Sequence, residues 1–316
     1  MKRALTIFSL LFNVSLSQAE VPAVTTALDE AKGTVSVNIG GSLFTTLHVK
    51  GFAKPVIHPI IGPTGLNMVR EWPVKDAAPN EEKDHPHHKG LWFTHGAVNG
   101  VDFWKEAKDA GTITVTGNPE TGKNDSGSAF VKTTEDWKAP DGRKICTSTT
   151  TIIFNSARTI DYTITLTASE GDVTMGETKE GTMGIRSHPV LNLKGKFAAG
   201  KALNSEGQKD GDIWGKRARW VDYFAPIDGK TVGFACFDHP SNLRHPTTWH
   251  ARDYGLVAAN PFGLHDFDKK NPKGSGNHTI KKGESLILRY LWVFHNGDAA
   301  EAKIEEQWKT WSSAAK

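Results

Sequence analysis

The feature that most constrains the fold is a succession of short β-rich segments along nearly the whole chain, separated by turn residues. Residues 34–39 and 43–49 flank the turn Gly40-Gly41-Ser42, and this arrangement predicts a hairpin. Apolar and polar residues alternate through 160–167, which is typical of a half-buried strand. Further strands are predicted at 112–116, 129–135, 145–154, 219–224, 232–237, 256–260 and 286–294.

Helical periodicity is concentrated at the C-terminal end. Asp298 is followed by residues 299–311, in which Ile304, Trp308 and Trp311 share one face. This pattern predicts a helix capped by Asp298. Since no linker rich in Pro or Gly divides the chain, we predict a single all-β domain over residues 20–316. Its many short strands favour a large antiparallel β-sandwich with one C-terminal helix.

The N-terminal segment predicts export. Lys2 and Arg3 precede an apolar stretch over residues 4–14, and Ser17-Gln18-Ala19 fits a cleavage site. We therefore interpret residues 1–19 as a signal peptide and expect a periplasmic or secreted protein. The apolar stretch is too short to span a membrane, so membrane insertion is not predicted.

Charge and cysteine content exclude some classes of function. The formal net charge is only +3 and the basic residues are scattered, so no nucleic-acid partner is expected. Cys146 and Cys236 are the only cysteines, and both lie in apolar, strand-like segments. We expect buried free thiols, although an oxidising compartment would also allow the two to pair.

The densest polar cluster lies around residues 84–96. Four of the thirteen histidines fall within eleven residues there, beside Asp84. Imidazole titrates near neutrality and is the commonest metal ligand, so the cluster predicts a functional site on a loop. A divalent metal is an open alternative to acid–base chemistry, although the spacing fits neither a zinc finger nor a helical His pair. Its ligands would be His85, His87, His88 and His95.

Three further segments are rich in polar side chains: residues 62–73, 177–189 and 238–255. Strand alternation in the second places Glu180, Arg186 and His188 on one face. The third combines Trp249 with hydrogen-bonding groups, which suits a sugar because its C–H face stacks on aromatic rings. The predicted catalytic residues are His87, His88, Glu180 and His188, and the predicted substrate-binding residues are Arg70, Asp84, Arg186, His239, Asn242, Trp249, His250 and Asp253.

Several of these motifs together resemble the secreted bacterial PmoA-like family, also called methane oxygenase PmoA. They are residues 84–93, 95–96 and 98–104, with Lys179-Glu180-Gly181, Ile185-Arg186 and Asp238-His239-Pro240-x-Asn242. The resemblance covers roughly residues 56–294. It implies a supersandwich of the galactose-mutarotase type, shared with many polysaccharide lyases, in which a His and a Glu perform acid–base chemistry at a sugar ring. Particulate methane oxidation is not expected, because the mature chain has no membrane-spanning segment.

These observations predict a periplasmic carbohydrate-active enzyme that acts on a sugar, a glycoside or a uronic-acid-containing saccharide. It would be a glycoside hydrolase, a polysaccharide lyase or a sugar epimerase, with a small-molecule or oligosaccharide substrate and no cofactor. Glu180 would be the base and His88 the acid or proton shuttle, with His87 beside it. The alternatives are a non-catalytic sugar-binding protein and a mononuclear metal enzyme or oxygenase that uses the histidine cluster.

Overall fold

The computed structural model describes residues 21–79 and 81–314. In these residues the chain forms two large sheets and a small one, and all of the strand pairings are antiparallel. The predicted signal peptide lies outside the described residues. Within the described ranges, no helix is both long and apolar enough to cross a membrane.

One large sheet has eight strands, numbered here along the chain. In spatial order they are β1 (Val24–Asp29), β2 (Thr34–Ile39), β3 (Ser42–His48), β4 (Val56–Ile60), β5 (Leu91–His95), β12 (Gly181–Arg186), β17 (Leu256–Asn260) and β16 (Thr248–Ala251). Strands β5 and β12 are far apart in sequence and adjacent in this sheet. Their pairing brings the histidine-rich segment next to the segment that contains Glu180.

The other large sheet has nine strands. In spatial order eight of them are β13 (Lys201–Asn204), β14 (Trp220–Ile227), β15 (Lys230–Asp238), β19 (Ser285–Asn296), β10 (Thr159–Thr167), β9 (Lys144–Asn155), β8 (Ala129–Lys138) and β6 (Thr112–Val115), and β7 (Glu120–Lys123) also pairs with β8. A small sheet joins β11 (Val173–Met175) to β18 (His278–Ile280). Short 3-10 turns occur at Pro189–Leu191 and Asp210–Ile213, and the α-helices are α1 (Leu264–Phe267) and α2 (Ile304–Ser313).

The two large sheets pack face to face around one apolar core. Phe44 of the eight-stranded sheet lies 6.4 Å from Phe154 and 6.2 Å from Phe294 of the nine-stranded sheet, between ring centroids. Alternation explains this arrangement, because every second residue of β2, β8 and β9 is buried while the next is more exposed. The predicted antiparallel β-sandwich is confirmed.

The C-terminal helix is present but begins later than predicted. Helix α2 starts at Ile304, and the preceding residue, Lys303, has a left-handed backbone (φ 53°). Asp298 caps a turn instead of the helix, since its carboxylate accepts from the backbone N–H groups of Ala300 and Glu301. Helix α2 covers the outer face of the nine-stranded sheet, where Ile304 and Trp311 join a second apolar cluster. The short helix α1 was not predicted.

The two cysteines are free and buried, in β9 and β15. Burial raises the pKa of the Cys146 thiol to about 12, so this thiol is protonated and unreactive at neutral pH. The expectation of buried free thiols is confirmed.

Candidate functional site

A cleft of about 440 Å³ opens beside the middle strands of the eight-stranded sheet. This volume is in the range of small-molecule sites. The lining contains imidazoles, aromatic rings and charged groups from four chain segments: His85, His87, His88, Asp102, Trp104, Lys105, Lys179, Glu180, His250, Arg252 and Tyr254. The predicted convergence of Glu180 with His87 and His88 is therefore present in the fold.

Strand alternation places the cleft on the face of the sheet that points away from the core. In β12, Met183 and Ile185 belong to the core, so Gly184 and Arg186 lie on the outer face. Gly184 has a packing role there, since a Cβ at this position would lie 3.2 Å from the Trp92 ring. The predicted shared face of β12 is thus correct up to Arg186.

A stack of rings forms one wall of the cleft. The His85 ring is nearly parallel to those of Tyr254 and His88, at centroid distances of 5.0 Å and 4.9 Å, and the Tyr254 and His88 rings are themselves 6.4 Å apart. The His88 ring in turn stacks on Trp92 at 5.4 Å. Because His88 is enclosed in this way, it is only 1% exposed, whereas the neighbouring His87 is half-buried. His87, unlike His88, therefore leaves room for a ligand.

Two buried arginines hold the loop that carries His85, His87 and His88, called here the histidine loop, against the sheet. Arg70 donates to the carbonyls of Glu82, His85 and His88 and to the Asp84 carboxylate at 2.5 Å. Arg186 donates to the same Asp84 oxygen at 2.7 Å. Burial alone would raise the pKa of Asp84, but the charges of Arg186 and Arg70 outweigh this effect and lower it. Asp84, predicted to bind substrate, instead anchors the loop.

A second ionic cluster joins the histidine loop to the segment that carries Trp104. Glu106 bridges two buried lysines, Lys54 at 2.7 Å and Lys89 at closer range. The Lys89 ammonium also donates to the Pro86 carbonyl, and the Lys54 ammonium to the Trp104 carbonyl. These contacts fix two walls of the cleft relative to each other.

Glu180 is held by its backbone and leaves its carboxylate in the cleft. Its carbonyl accepts from the Gly96 N–H at 2.7 Å, and a Cβ at Gly96 would lie only 2.9 Å from the Glu180 Cβ. The Glu180 side chain pairs with Lys179 and remains 33% exposed. Glu177 stabilises the chain segment that leads to Glu180, because its carboxylate accepts hydrogen bonds from the backbone N–H groups of His265 and Gly276. The backbone is fixed while the carboxylate stays accessible.

Burial keeps three imidazoles of the cleft, those of His87, His88 and His250, uncharged at neutral pH. It lowers the pKa of His87 to about 4 and that of His250 to about 3, with nearby positive charges adding to the effect. The pKa of His88 is lowered well below its ordinary value for the same reason. A neutral imidazole offers one N–H donor and one acceptor nitrogen. The cleft therefore combines neutral proton carriers with the Glu180 carboxylate.

Two of the predicted site residues lie beside the cleft rather than in it. His188 follows the end of β12 and caps the turn Pro189–Leu191, where its Nδ1 accepts from the Val190 N–H at 3.2 Å. The Asp253 carbonyl accepts from the N–H groups of Leu193 and Lys194. Neither side chain lines the cleft. The predicted alternation does not extend to His188 because the strand has already ended.

The prediction that Trp249 stacks on a sugar is wrong. Trp249 is 0% exposed, and its indole N–H donates to the Ala218 carbonyl at 2.9 Å. Alternation in β16 turns Trp249 into the core and directs His250 to the cleft. The partly buried aromatic ring that lines the cleft is that of Tyr254, beside the almost fully buried Trp104.

His239 and Asn242 belong to a polar network under helix α2, remote from the cleft lining. Asn242 donates to the buried Asp238 carboxylate at 2.8 Å and exchanges two hydrogen bonds with the backbone of Arg289. The His239 ring packs edge-on against Trp311. This network attaches the helix to the nine-stranded sheet, so the predicted substrate contacts of these two residues are not formed.

Replacing Asn242 by Ala is expected to lower the free energy of unfolding by about 1–3 kcal/mol, because buried hydrogen-bonding partners lose their donor and acceptor. The affinity of the cleft for its ligand should stay unchanged. Chemical denaturation and calorimetry measure the two effects separately. Lost binding with unchanged stability would return Asn242 to the site.

Of the four histidines proposed as metal ligands, His85, His87 and His88 lie together and His95 lies apart from them. His95 ends β5 on the core side, where its Nε2 contacts the Gly176 carbonyl at 2.7 Å and its ring packs on Phe262. The His85 and His88 rings lie in parallel planes, so the nitrogen lone pairs of the two rings do not point at a common position. Among residues 21–79 and 81–314, no group of three His, Cys, Asp or Glu side chains is arranged to hold a metal ion.

The buried His95 makes stability depend on pH. Burial lowers its folded-state pKa to about 4, below the ~6.5 of an unfolded chain. Between these values the unfolded state binds more protons, so the free energy of unfolding falls as the pH falls. The variant His95→Gln keeps an N–H donor for Gly176 but cannot take up a proton. Between pH 7 and 4 its free energy of unfolding should therefore fall by about 1–3 kcal/mol less than that of the natural protein. Denaturation curves at several pH values check this, and an unchanged slope would contradict it.

The sequence analysis missed six residues that line the cleft: Asp102, Trp104, Lys105, Lys179, Arg252 and Tyr254. Trp104 lies within the long first motif, and Arg252 and Tyr254 flank Asp253 on the turn between β16 and β17. The Arg186 guanidinium lies 4.7 Å from the centroid of the Tyr254 ring. The proximity of this turn to His250 in sequence was a usable signal, but only the fold shows which of its side chains enter the cleft.

Comparison with protein families returns one match. Residues 34–309 match the model of a family described as a family of unknown function, DUF6807. No curated protein matches the chain in sequence.

Solved structures of carbohydrate-active enzymes match the fold at low similarity. A glycoside hydrolase family 97 enzyme from Pseudoalteromonas sp. strain K8, in complex with acarbose, is 9% identical with a TM-score of 0.37 over 88% of this chain and 34% of that chain. A galactose 1-epimerase from Lactobacillus acidophilus NCFM is 7% identical with a TM-score of 0.38, over 87% of this chain and 99% of that chain. A GalM/aldose epimerase homologue from C. elegans is 7% identical with a TM-score of 0.34, over 88% of this chain and 100% of that chain.

This chain therefore spans about a third of the length of the family 97 enzyme and nearly all of the two epimerase-type chains.

Proposed function

The chain belongs to the family of unknown function DUF6807, and from that premise we propose that its cleft is the active site of a carbohydrate-active enzyme. The reaction is acid–base chemistry on a sugar, a glycoside or a uronic-acid-containing saccharide, as a hydrolase, a lyase or an epimerase. The single observation that carries the proposal is that Glu180 and the His87–His88 pair, about ninety residues apart, line the same cleft.

The cleft has the surface chemistry that a sugar needs. Tyr254, which is only partly buried, supplies an aromatic ring, on which the C–H face of a pyranose stacks. Asp102, Lys179 and Arg252 place charged hydrogen-bonding groups around it, and these suit hydroxyl groups. The combination favours a polar ligand with one apolar face over a wholly apolar molecule.

Glu180 accepts a proton from the substrate in this proposal. Its carboxylate is accessible and its backbone is fixed, which are the requirements for a positioned base. His87 acts as a proton shuttle: one ring nitrogen gives its proton to the substrate oxygen while the other accepts a proton from solvent, which replaces the proton that Glu180 has taken from the substrate. The lowered pKa of His87 keeps its ring neutral at neutral pH, which suits a proton shuttle better than a positively charged acid. His88, enclosed behind it, is a positioning residue.

We also propose, from the first residues of the sequence and the motifs of the histidine loop, that the protein is exported to the periplasm or beyond and is a member of the PmoA-like family. An exported location would place the cleft among extracellular saccharides. Residues 1–19, which carry the export signal, lie outside the described residues.

A saccharide library screened by thermal shift, followed by mass spectrometry of each hit, tests the proposal. A ligand that binds should raise the melting temperature, since it stabilises only the folded state. Mass spectrometry should then show a cleaved or epimerised product. Binding without any product over days would favour the non-catalytic sugar-binding protein. The absence of any saccharide hit would contradict both.

A further inference from the structure

A second, smaller cavity adjoins the cleft at Tyr254, which lines both. Its walls include four cationic side chains, and we call it the basic pocket after them: Arg70, Arg186, Lys194 and Lys196. The single carboxylate among its lining residues is that of Glu82. The pocket therefore has an excess of positive charge, and it lies within reach of a ligand that occupies the cleft.

The two buried arginines are incompletely neutralised. Arg70 and Arg186, both about 2% exposed, share one oxygen of the Asp84 carboxylate, whose other oxygen contacts His85. The Arg70 Nε is buried and has no hydrogen-bond partner in the described part of the chain. Since buried charges and donors need partners, the pocket is prepared for an anion.

The size of the basic pocket limits what enters it. Its volume is about 70 Å³, several times the ~10–15 Å³ that a single water needs, but far below that of the neighbouring cleft. A carboxylate or sulfate group fits, whereas a whole pyranose ring does not. The ring would stay at the mouth, where Phe197 also lines the pocket and is 41% exposed.

We propose that the basic pocket binds the anionic substituent of the sugar unit next to the one held in the cleft, with Phe197 against that unit's ring. The preferred substrate is then an acidic oligosaccharide that occupies two adjoining subsites. This inference rests on the proposed function and narrows its substrate class. Carboxylates and sulfates share the necessary chemistry, since both accept bidentate hydrogen bonds from arginine.

Calorimetric titration of the intact protein tests this inference without requiring turnover. The probes are a trisaccharide of galacturonic acid, its methyl ester, a neutral galactose trisaccharide and a sulfated galactose trisaccharide. At least one anionic probe should bind about tenfold more tightly than its uncharged counterpart, as expected for charge-assisted hydrogen bonds. Comparison of the two anionic probes identifies the preferred anion. Added salt should reduce the preference.

Two exposed lysines allow the pocket to be altered without disturbing the fold. The variant Lys194→Gln/Lys196→Gln should lose most of the preference for the anionic probe and keep its affinity for the neutral trisaccharide. Lys230→Gln, an exposed lysine at the start of β15 in the nine-stranded sheet, removes charge elsewhere and should change neither affinity.

Equal binding of charged and uncharged probes by the natural protein would overturn the inference and leave the proposed function standing. An unchanged preference in the double variant would overturn the location in the basic pocket. Failure of every saccharide to bind would contradict the proposed function as well, so the two failures are distinguishable.

Discussion

Glu180→Gln is expected to reduce turnover of a saccharide substrate by about 10²–10⁴-fold, the usual contribution of a positioned acid–base group. The amide keeps the shape of the side chain but cannot accept the proton. Stability should change by less than about 1 kcal/mol, because the carboxylate is partly exposed and pairs with the exposed Lys179. Steady-state kinetics on a substrate from the library screen, together with chemical denaturation, measure both effects.

Glu120→Gln is the matched control, since Glu120 is an exposed glutamate in β7 of the other sheet. It should keep full activity. Comparable turnover in Glu180→Gln and Glu120→Gln would remove Glu180 from the mechanism. A large loss of stability in Glu180→Gln would show instead that the residue supports the fold.

Arg70→Ala is expected to lower the free energy of unfolding by about 3–5 kcal/mol, as for other buried ion pairs that lose one partner. The substitution leaves the carbonyls of Glu82, His85 and His88 without their donor and weakens the hold on Asp84. The histidine loop should then loosen, so affinity for saccharides should fall with stability. Chemical denaturation and calorimetry follow the two changes.

Arg143→Ala provides the control for Arg70→Ala. Arg143 is 64% exposed and lies in the turn between β8 and β9, so its removal should change stability by no more than about 0.5 kcal/mol. Arg70→Lys should recover only part of the loss, because one ammonium cannot reproduce the planar fork of a guanidinium. A stability of Arg70→Ala close to that of Arg143→Ala would show that the loop is held by other contacts.

The fold class was accessible from the sequence because strand signals are local. Alternation and turn residues within a few positions of each other predicted the hairpin of β2 and β3 and the long strand β10. The helix start was misplaced for a related reason. Asp298 is a good capping residue, but the cap that it forms belongs to a turn, and a left-handed Lys303 separates that turn from the helix.

The candidate site was accessible only in part. The density of polar residues in the sequence predicted that the histidine loop and Glu180 belong to a functional site, and both lie in the cleft. Alternation also restricts neighbours to opposite faces, but it does not say which face meets the core. Trp249 and His250 are adjacent and were both predicted to bind substrate, but Trp249 packs in the core and only His250 lines the cleft.

By itself the sequence determined the all-β architecture, the antiparallel pairing and the chemical character of the histidine loop, because each depends on residues close together in the chain. Only the tertiary structure decided that His95 faces the core while His88 faces the cleft, and that Tyr254 supplies the aromatic ring. These outcomes depend on which sheet a strand joins and on which face helices and loops leave open. Such choices are set by packing between segments distant in sequence, and no local pattern encodes them.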